Sequence, residues 1–180
     1  MVEEREQCCS QMADGMGMQR PTPPIYVKAY KRLWILRRLK TLGASREDLL
    51  DVFVKQVRSV MELSVPAWHS GLTIEEASDI ERVQRASLHI ILGEEYNSYK
   101  EALKLVNLDS LENRRVNLCK KFSSKAAKNL KHSNWFVLNQ KTSITRQEQP
   151  MYCPVVCKTR RFEKSPLSYL TSLLNKYSKK

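Results

Sequence analysis

The sequence predicts an all-α protein, a small bundle of about five helices followed by a basic, irregular tail that ends in a short helix. Two observations predict this fold class. At three places a Ser, Thr or Asp stands three residues before a Glu, and each of these capping signatures precedes an apolar run with helical spacing. Several runs also stop at residues that end helices, namely Gly43, Pro66 and Gly93. Helices in this succession are expected to stack as hairpins.

The chain begins with a segment, residues 1–25, that has scattered charge, three prolines, two glycines and no apolar period. Such a segment lacks the regularly spaced apolar residues that a packed helix needs, so we interpret it as a disordered leader. Cys8 and Cys9 within it are adjacent and lack the spacing of metal ligands, which favours two free thiols.

The first helix is predicted over residues 26–42 and ends at Gly43. The apolar side of its later turns consists of Ile35, Leu36, Leu39 and Leu42. Six cations and no acidic residue accompany them: Lys28, Lys31, Arg32, Arg37, Arg38 and Lys40. These cations are either a solvated face whose aliphatic stems cover the core or a surface that contacts phosphates.

The second helix is expected to start at Ser45, with Asp48 in the place that Glu usually takes in a cap. Its apolar residues have helical spacing and are expected to pack on the central helix: Leu49, Leu50, Phe53, Val57, Val60 and Met61. Pro66 disfavours a helical conformation of Val65, so we predict that the helix stops there.

A short connection, residues 66–71, contains Trp68, His69 and Ser70. A neighbouring His and Ser suggest part of a catalytic triad. However, adjacent side chains on an extended chain point to opposite sides, and no acidic partner is evident. We therefore predict no catalysis here and interpret Trp68 as a core anchor between two helices.

The central helix is the best specified, because Thr73 and Glu76 form a complete capping box. A helical wheel places its apolar residues on one side: Ala77, Ile80, Val83, Leu88, Ile90 and Ile91. The other side is predicted to be exposed to solvent and partly basic: Asp79, Glu81, Arg82, Arg85 and His89. Gly93 follows the last apolar residue, where a left-handed C-cap is expected.

Two further capping boxes are predicted downstream. Ser98 and Glu101 begin a short helix, and Asp109 and Glu112 begin a longer one. The buried face of the longer helix is predicted to contain Leu111, Leu118, Phe122, Ala126 and Leu130. A second basic surface on it consists of Lys120, Lys121, Lys125 and Lys128.

The predicted organisation is therefore a leader (1–25), a helical bundle (26–131), a basic linker (132–164) and a terminal amphipathic helix (165–177). Cys153 and Cys157 in the linker form one C-x₃-C pair without a second pair, so we predict no metal and keep zinc as an alternative. Pro166 suits the first turn of the terminal helix. Its leucines form one stripe that docks on the bundle or on a partner: Leu167, Leu170, Leu173 and Leu174.

The formal net charge of +12 over 180 residues is unevenly distributed. Residues 26–45 carry +6 and residues 131–180 carry +8, whereas residues 46–93 carry −3. This basic excess indicates an anionic partner such as nucleic acid. The alternative is a basic protein that is only soluble and adhesive.

The other features of the composition argue against secretion and against a membrane span. The five cysteines are an odd number and no apolar leader is present, which disfavours a disulfide framework. No apolar run approaches the roughly 20 residues that a bilayer span needs. We expect an intracellular protein, nuclear or cytoplasmic, with no membrane partner and no small-molecule substrate.

Three blocks in the chain form a recognisable combination: YKRLWILRRLKTL at 30–42 with GASREDLL at 43–50, RSVMELSVPAWHSGLT at 58–73 with IERVQRASLHIILG at 80–93, and RRFEKSPLSYLTSLLN at 160–175. In this order they resemble the C-terminal region of the reverse transcriptase of LINE-type (non-LTR) retrotransposons, in the broad jockey-like group. The resemblance covers residues 26–177, the helical thumb and the segment that follows it.

The resemblance implies a thumb that grips the template–primer backbone while a preceding palm performs nucleotidyl transfer with paired aspartates and two Mg²⁺ ions. No match to that palm is found here. The aspartates of this chain include no adjacent pair: Asp14, Asp48, Asp51, Asp79 and Asp109. We therefore expect a truncated or fused fragment that is not an enzyme and needs no cofactor.

The function expected from the sequence is thus that of a non-catalytic fragment of an RNA-directed DNA polymerase that binds the nucleic-acid backbone without sequence preference. The candidate binding residues are Lys31, Arg32, Arg37, Arg38, Lys40, Arg82, Arg85, Lys120, Lys121, Arg160 and Arg161. Two alternatives remain. One is a helical module that binds itself or another protein through the Leu167–Leu174 stripe or an unfilled groove. The other is a relic without function.

Overall fold

The computed structural model describes residues 25–129, 131–139 and 151–177, and it confirms the all-α fold class. Within these ranges the α-helices are α1 (Ile25–Thr41), α2 (Arg46–Val52), α3 (Ser59–Glu62), α4 (Val65–Trp68), α5 (Ile74–Leu92), α6 (Tyr99–Leu105), α7 (Leu111–Lys128), α8 (Arg160–Glu163) and α9 (Pro166–Tyr177). A π-helical segment, Phe53–Arg58, joins α2 to α3, and 3₁₀ turns lie at His69–Gly71, Gly93–Glu95 and Ser133–Trp135.

Some of the sequence predictions concern residues outside the described ranges. These are Cys8, Cys9, Leu130 and the leader, apart from Ile25, which already belongs to α1. The predicted linker is partly described. Its described residues include two short helical elements, Ser133–Trp135 and α8.

The first core lies where α1, the α2–α3 region and α5 meet. α1 contributes Ala29, Leu33 and Leu36, which are fully buried. The predicted apolar side of α1 was partly wrong, because Leu42 is 69% exposed. α1 ends before Leu42 in a Schellman motif, in which the N–H groups of Gly43 and Ala44 donate to the carbonyls of Lys40 and Leu39. Gly43 supplies the positive φ of +81° that this motif requires.

The second helix is buried along a strict four-residue repeat, Leu49, Phe53, Val57 and Met61. On a straight α-helix such a repeat drifts by about 40° at each step. The π-helical segment has a wider turn, which swings the later positions back toward the same face. This explains how the four side chains reach one core, which they share with α1 as well as with the central helix.

The predicted capping box of the central helix, α5, is confirmed. Thr73 Oγ1 accepts from the N–H of Glu76 at 3.2 Å, and Glu76 Oε2 accepts from the N–H of Thr73 at 2.9 Å. The predicted caps Ser45 and Ser98 are confirmed as well. The box at Asp109 was wrong: the N-cap of α7 is Ser110, whose Oγ accepts from the N–H of Asn113.

The second core lies between α4, α7 and α9, with Phe136 from the segment between the last two. Leu170, Leu173 and Leu174 are buried in it, so the predicted leucine stripe docks on the chain's own bundle. Two other expectations were wrong. Phe122 of α7 is 39% exposed. Val65 is helical, since the preceding helix already ends at Glu62 and Pro66 is tolerated in the first turn of α4.

The two cores meet at Trp68, whose indole packs against both clusters and whose Nε1 donates to the Leu63 carbonyl at 2.7 Å. This agrees with its predicted role as an anchor between helices. Near the C-terminus, Leu138 and Tyr152 form an isolated antiparallel bridge. Asn175 of α9 binds both backbone groups of Tyr152, at 2.8 and 3.0 Å. Part of the predicted linker is therefore fixed to the terminal helix.

Candidate nucleic-acid interface

The outward face of α1 is a basic helical surface. Ala29, Leu33 and Leu36 fix the buried side of the helix. At about 100° per residue, the opposite side is centred on Arg38 and includes Lys31. Arg37 lies at the edge of this face, and all three cations are exposed. α1 contains no acidic residue that would neutralise them.

Two aromatic side chains lie among these cations and were missed by the sequence analysis. The Trp34 side chain is 66% exposed and that of Tyr30 is 37% exposed. Trp34 stands between Arg37 and Arg38 on the wheel, and Tyr30 lies one turn before it. The signal was available, because the wheel places Trp34 nearly opposite Leu36, with Tyr30 at the flank of the buried side. We refer to Tyr30, Lys31, Trp34, Arg37 and Arg38 as the α1 face.

The other two candidate cations of α1 are engaged within the fold. The guanidinium of Arg32 donates to the carbonyl of Gln56, in the π-helical segment, at 2.6 Å. The Lys40 ammonium donates to the carbonyl of Ile90, in the last turn of α5. Their partners are 24 and 50 residues away, and these bonds tie α1 to its two neighbours.

The two candidate cations of α5 have partners on the protein surface. Arg82 pairs with Asp79 at 2.9 Å. The Arg85 guanidinium lies over the ring of Tyr99, 5.2 Å from its centroid. An exposed ion pair of this kind contributes little to stability, yet it lowers the charge that Arg82 offers to a phosphate.

The remaining candidate cations lie on α7 and α8. The Lys120 ammonium stands 3.7 Å from the ring centroid of Tyr177, so it joins α7 to the end of α9. Lys121 is exposed on α7, and Arg160 and Arg161 are exposed in the single turn of α8. The eleven predicted residues are therefore distributed over four helices, and five of them have partners within the protein: Arg32, Lys40, Arg82, Arg85 and Lys120.

The His69–Ser70 pair lies beside a buried polar cluster. His69 Nε2 is 3.1 Å from the hydroxyl of Tyr169, and burial together with the nearby Arg115 lowers the pKa of the imidazole. Arg115 is 2% exposed. Among the described residues, its Nε and Nη1 groups have no hydrogen-bond partner, and neither does Ser70 Oγ. Both residues of the pair are half-buried: His69 contacts Tyr169, and the Ser70 hydroxyl has no hydrogen-bond partner among the described residues.

The described residues contain no group of three or more His, Cys, Asp or Glu side chains that could hold a metal ion. Cys153 and Cys157, the pair considered for zinc, contact different groups. Cys153 Sγ lies 3.8 Å from the Leu138 carbonyl, and Cys157 Sγ lies 3.4 Å from that of Val155.

Comparison with known proteins gave no relationship: no protein-family model, no curated protein and no solved structure matches this chain. A search for membrane spans found, among the helices described, none with the length and apolar character to cross a bilayer.

Proposed function

We propose that the protein binds nucleic acid without sequence preference through the α1 face and has no catalytic activity of its own. The observation that carries the proposal is the charge pattern of α1, a 17-residue helix with six cations and no acid. Lys31 and Arg38 are exposed on the side opposite the core, and Arg37 is exposed at the edge of that side. Phosphate contacts of this type supply affinity without reading sequence.

We further propose that the chain derives from the thumb region of a LINE-type reverse transcriptase. Support for this origin comes from the three sequence blocks quoted above and from their order. The grip on a nucleic-acid backbone that such a thumb provides agrees with the charge of α1. Nucleotidyl transfer is not proposed, because the sequence has no pair of adjacent aspartates for two metal ions.

The alternative of a protein-binding module is not favoured. One of the two surfaces considered for it, the leucine stripe of the terminal helix, is buried against α4 and α7. A partner could use it only after α9 had left the bundle.

The proposal is tested by fluorescence anisotropy of the full chain with labelled oligonucleotides across a series of salt concentrations. Phosphate contacts by the three cations of the α1 face correspond to a slope of about −2 in a plot of log affinity against log salt for a single strand. The double charge reversal Arg37→Glu and Arg38→Glu is expected to weaken binding to DNA and RNA alike and to flatten this slope.

The matched control is the double reversal Lys100→Glu and Lys104→Glu on α6, which changes the net charge by the same amount at a different helix. Both of these lysines are exposed. Equal losses in the two double variants would show that only the total charge matters. A salt-independent affinity of the wild-type chain would contradict the proposal.

A further inference from the structure

We propose that the ligand of the α1 face is single-stranded nucleic acid, whose unpaired bases stack on Trp34 and Tyr30 while the flanking cations hold its phosphates. This inference rests on the proposed function and adds to it the strandedness of the ligand. It differs from a backbone grip on a duplex, for which aromatic rings are not needed.

The first observation is that Trp34 is exposed to solvent. Its indole is 66% exposed in the middle of a well-formed helix, whereas Trp68 and Trp135 pack against the second core. The buried side of α1 is complete without it. A large exposed ring is typical of a binding surface, and an aromatic ring has the flat shape and the π-face that a nucleobase needs for stacking.

The second step is the arrangement of the rings. Tyr30 and Trp34 are four residues apart, so their Cα atoms are about 6 Å apart along the helix axis. Lys31 and Arg38 flank Trp34 on the same side of the helix. Aromatic rings that alternate with cations are the common design of surfaces that bind single strands, where rings take bases and cations take the backbone.

The third step distinguishes a single strand from a duplex. In a duplex the bases are stacked on one another, so their faces are covered except at the ends. A strand with unpaired bases can place them on Trp34 and Tyr30. The rings therefore add affinity for single strands, and the cations serve both forms.

The charge pattern also disfavours a second copy of this chain as the occupant. An interface between two α1 faces would bring Lys31, Arg37 and Arg38 of one copy against the same residues of the other. α1 has no acidic side chain to offset them, and the whole chain carries +12. Like charges placed together in this way oppose association.

The test measures binding of the full chain to three ligands of equal length: oligothymidylate, an abasic strand with the same phosphates, and a duplex. Trp34→Leu keeps an apolar side chain and removes the ring. It is expected to weaken oligothymidylate binding about tenfold, since stacking contributes 1–3 kcal/mol per base. Binding of the abasic strand, and the salt slope, are expected to stay unchanged. Trp34→Phe, which keeps a ring, is expected to retain most of the affinity.

Two controls accompany this variant. Phe122→Leu removes an exposed ring from α7, the other lysine-rich helix, and is expected to leave affinity unchanged. Circular dichroism is expected to show the same helix content in all variants, because the replaced rings are exposed.

Oligothymidylate should also quench the indole emission of the wild-type chain, and this quenching should be lost in Trp34→Phe.

The outcomes separate the two proposals. Equal affinity for oligothymidylate and for the abasic strand, with no effect of Trp34→Leu, would overturn the stacking inference and leave the phosphate interface intact. A dimer seen by sedimentation that disappears in Trp34→Leu would overturn it as well, since the ring would then be a contact between proteins. Failure of all three ligands to bind at low salt would overturn both.

Discussion

Glu81 is the residue whose role differs most from its place on the helical wheel. It was predicted on the wet side of the central helix, and its carboxylate is half-buried. One oxygen accepts from the hydroxyl of Tyr99 at 2.5 Å, and the other accepts from the N–H of Glu112 at 2.6 Å. Burial and this hydrogen bond raise the pKa of Tyr99. Glu81 therefore joins α5 to α6 and satisfies a free N–H at the start of α7.

His69 gives the protein a stability that depends on pH. Burial first, and the charge of Arg115 second, lower the pKa of its imidazole below the usual value of 6.5. The unfolded chain therefore binds a proton more readily than the folded chain between these two pKa values. We expect the free energy of unfolding contributed by this group to be fully present above pH 6.5 and to be lost as the pH falls below 6.5 toward the folded pKa.

This expectation is measured by urea denaturation of the wild-type chain and of His69→Gln at several pH values on both sides of 6.5. The variant keeps a polar side chain and does not titrate there, so its stability should depend less steeply on pH in that window. His89→Gln serves as a control, because His89 is exposed. Identical pH profiles for wild type and His69→Gln would contradict the assignment of this pH-dependent stability to His69.

Among the elements, the end of α5 depends on Gly93 for two reasons. Its φ of +60° with ψ of −118° lies in a region that L side chains rarely adopt. A Cβ atom at this position would also stand 2.8 Å from Lys40 Nζ, which donates to the Ile90 carbonyl. The left-handed C-cap predicted at Gly93 is correct in the sign of φ only, because this ψ lies outside the left-handed helical region, and the approach of Lys40 was not predicted.

We expect Gly93→Ala to lower the free energy of unfolding by about 1–3 kcal/mol, the usual cost of a non-glycine residue in such a conformation. Gly43→Ala is the matched comparison. Its φ is also positive, but a Cβ there would meet nothing within 4 Å. The Gly43 variant should lose less stability in thermal or urea melts. Equal losses would show that contact with Lys40 and the unusual ψ of Gly93 add nothing.

The starts of the helices were largely predictable, because a cap is local. The Thr73–Glu76 box needs only four consecutive residues. At α7 two adjacent residues, Asp109 and Ser110, both suit an N-cap, and the sequence gives no local reason to choose Ser110. The partners of Arg32 and Lys40 could not be predicted, because these contacts are not local in the sequence. Backbone carbonyls 24 and 50 residues away carry no signature in the sequence.

In the candidate site, too, the features that are local in the sequence could be predicted and those that depend on packing could not. The net charge and the absence of acids in the first helix are sequence properties, and they led to α1. Whether a cation of α1 has a partner within the protein depends on how α1 packs against two other helices. The sequence alone does not show this packing, so the prediction included Arg32 and Lys40. Trp34 was missed, although the helical period already placed it nearly opposite Leu36.

At the scale of the whole molecule, the second core depends on the terminal helix. Leu170, Leu173 and Leu174 cover Val65, Cys119 and Phe136. Burial raises the pKa of the Cys119 thiol to about 11, so it is both protonated and shielded in the folded protein. Cys119 is therefore a natural reporter of whether this core is closed.

We expect deletion of residues 165–180 to lower the thermal midpoint and to make Cys119 reactive toward a thiol reagent. The milder variant Leu170→Ala should cost about 2–5 kcal/mol and leave the thiol largely shielded. Labelling is compared with the same chains carrying Cys119→Ala, which removes the signal of this cysteine from that of the other four. An unchanged midpoint with Cys119 still unreactive would mean that the second core closes without α9.

Hydrogen bonds join residues 137–139 to residues 151–153 and would hold the two parts of a cleaved chain together. Asn139 and Met151 are joined by a backbone hydrogen bond of 2.8 Å, as are Cys153 and Val137, and Asn175 holds Tyr152 from the side of α9. A protease that cleaves between Asn139 and Met151 would therefore leave two pieces that adhere through these bonds and through Phe136. The pieces would separate on a denaturing gel but migrate together in a native one, and they could be prepared apart and recombined.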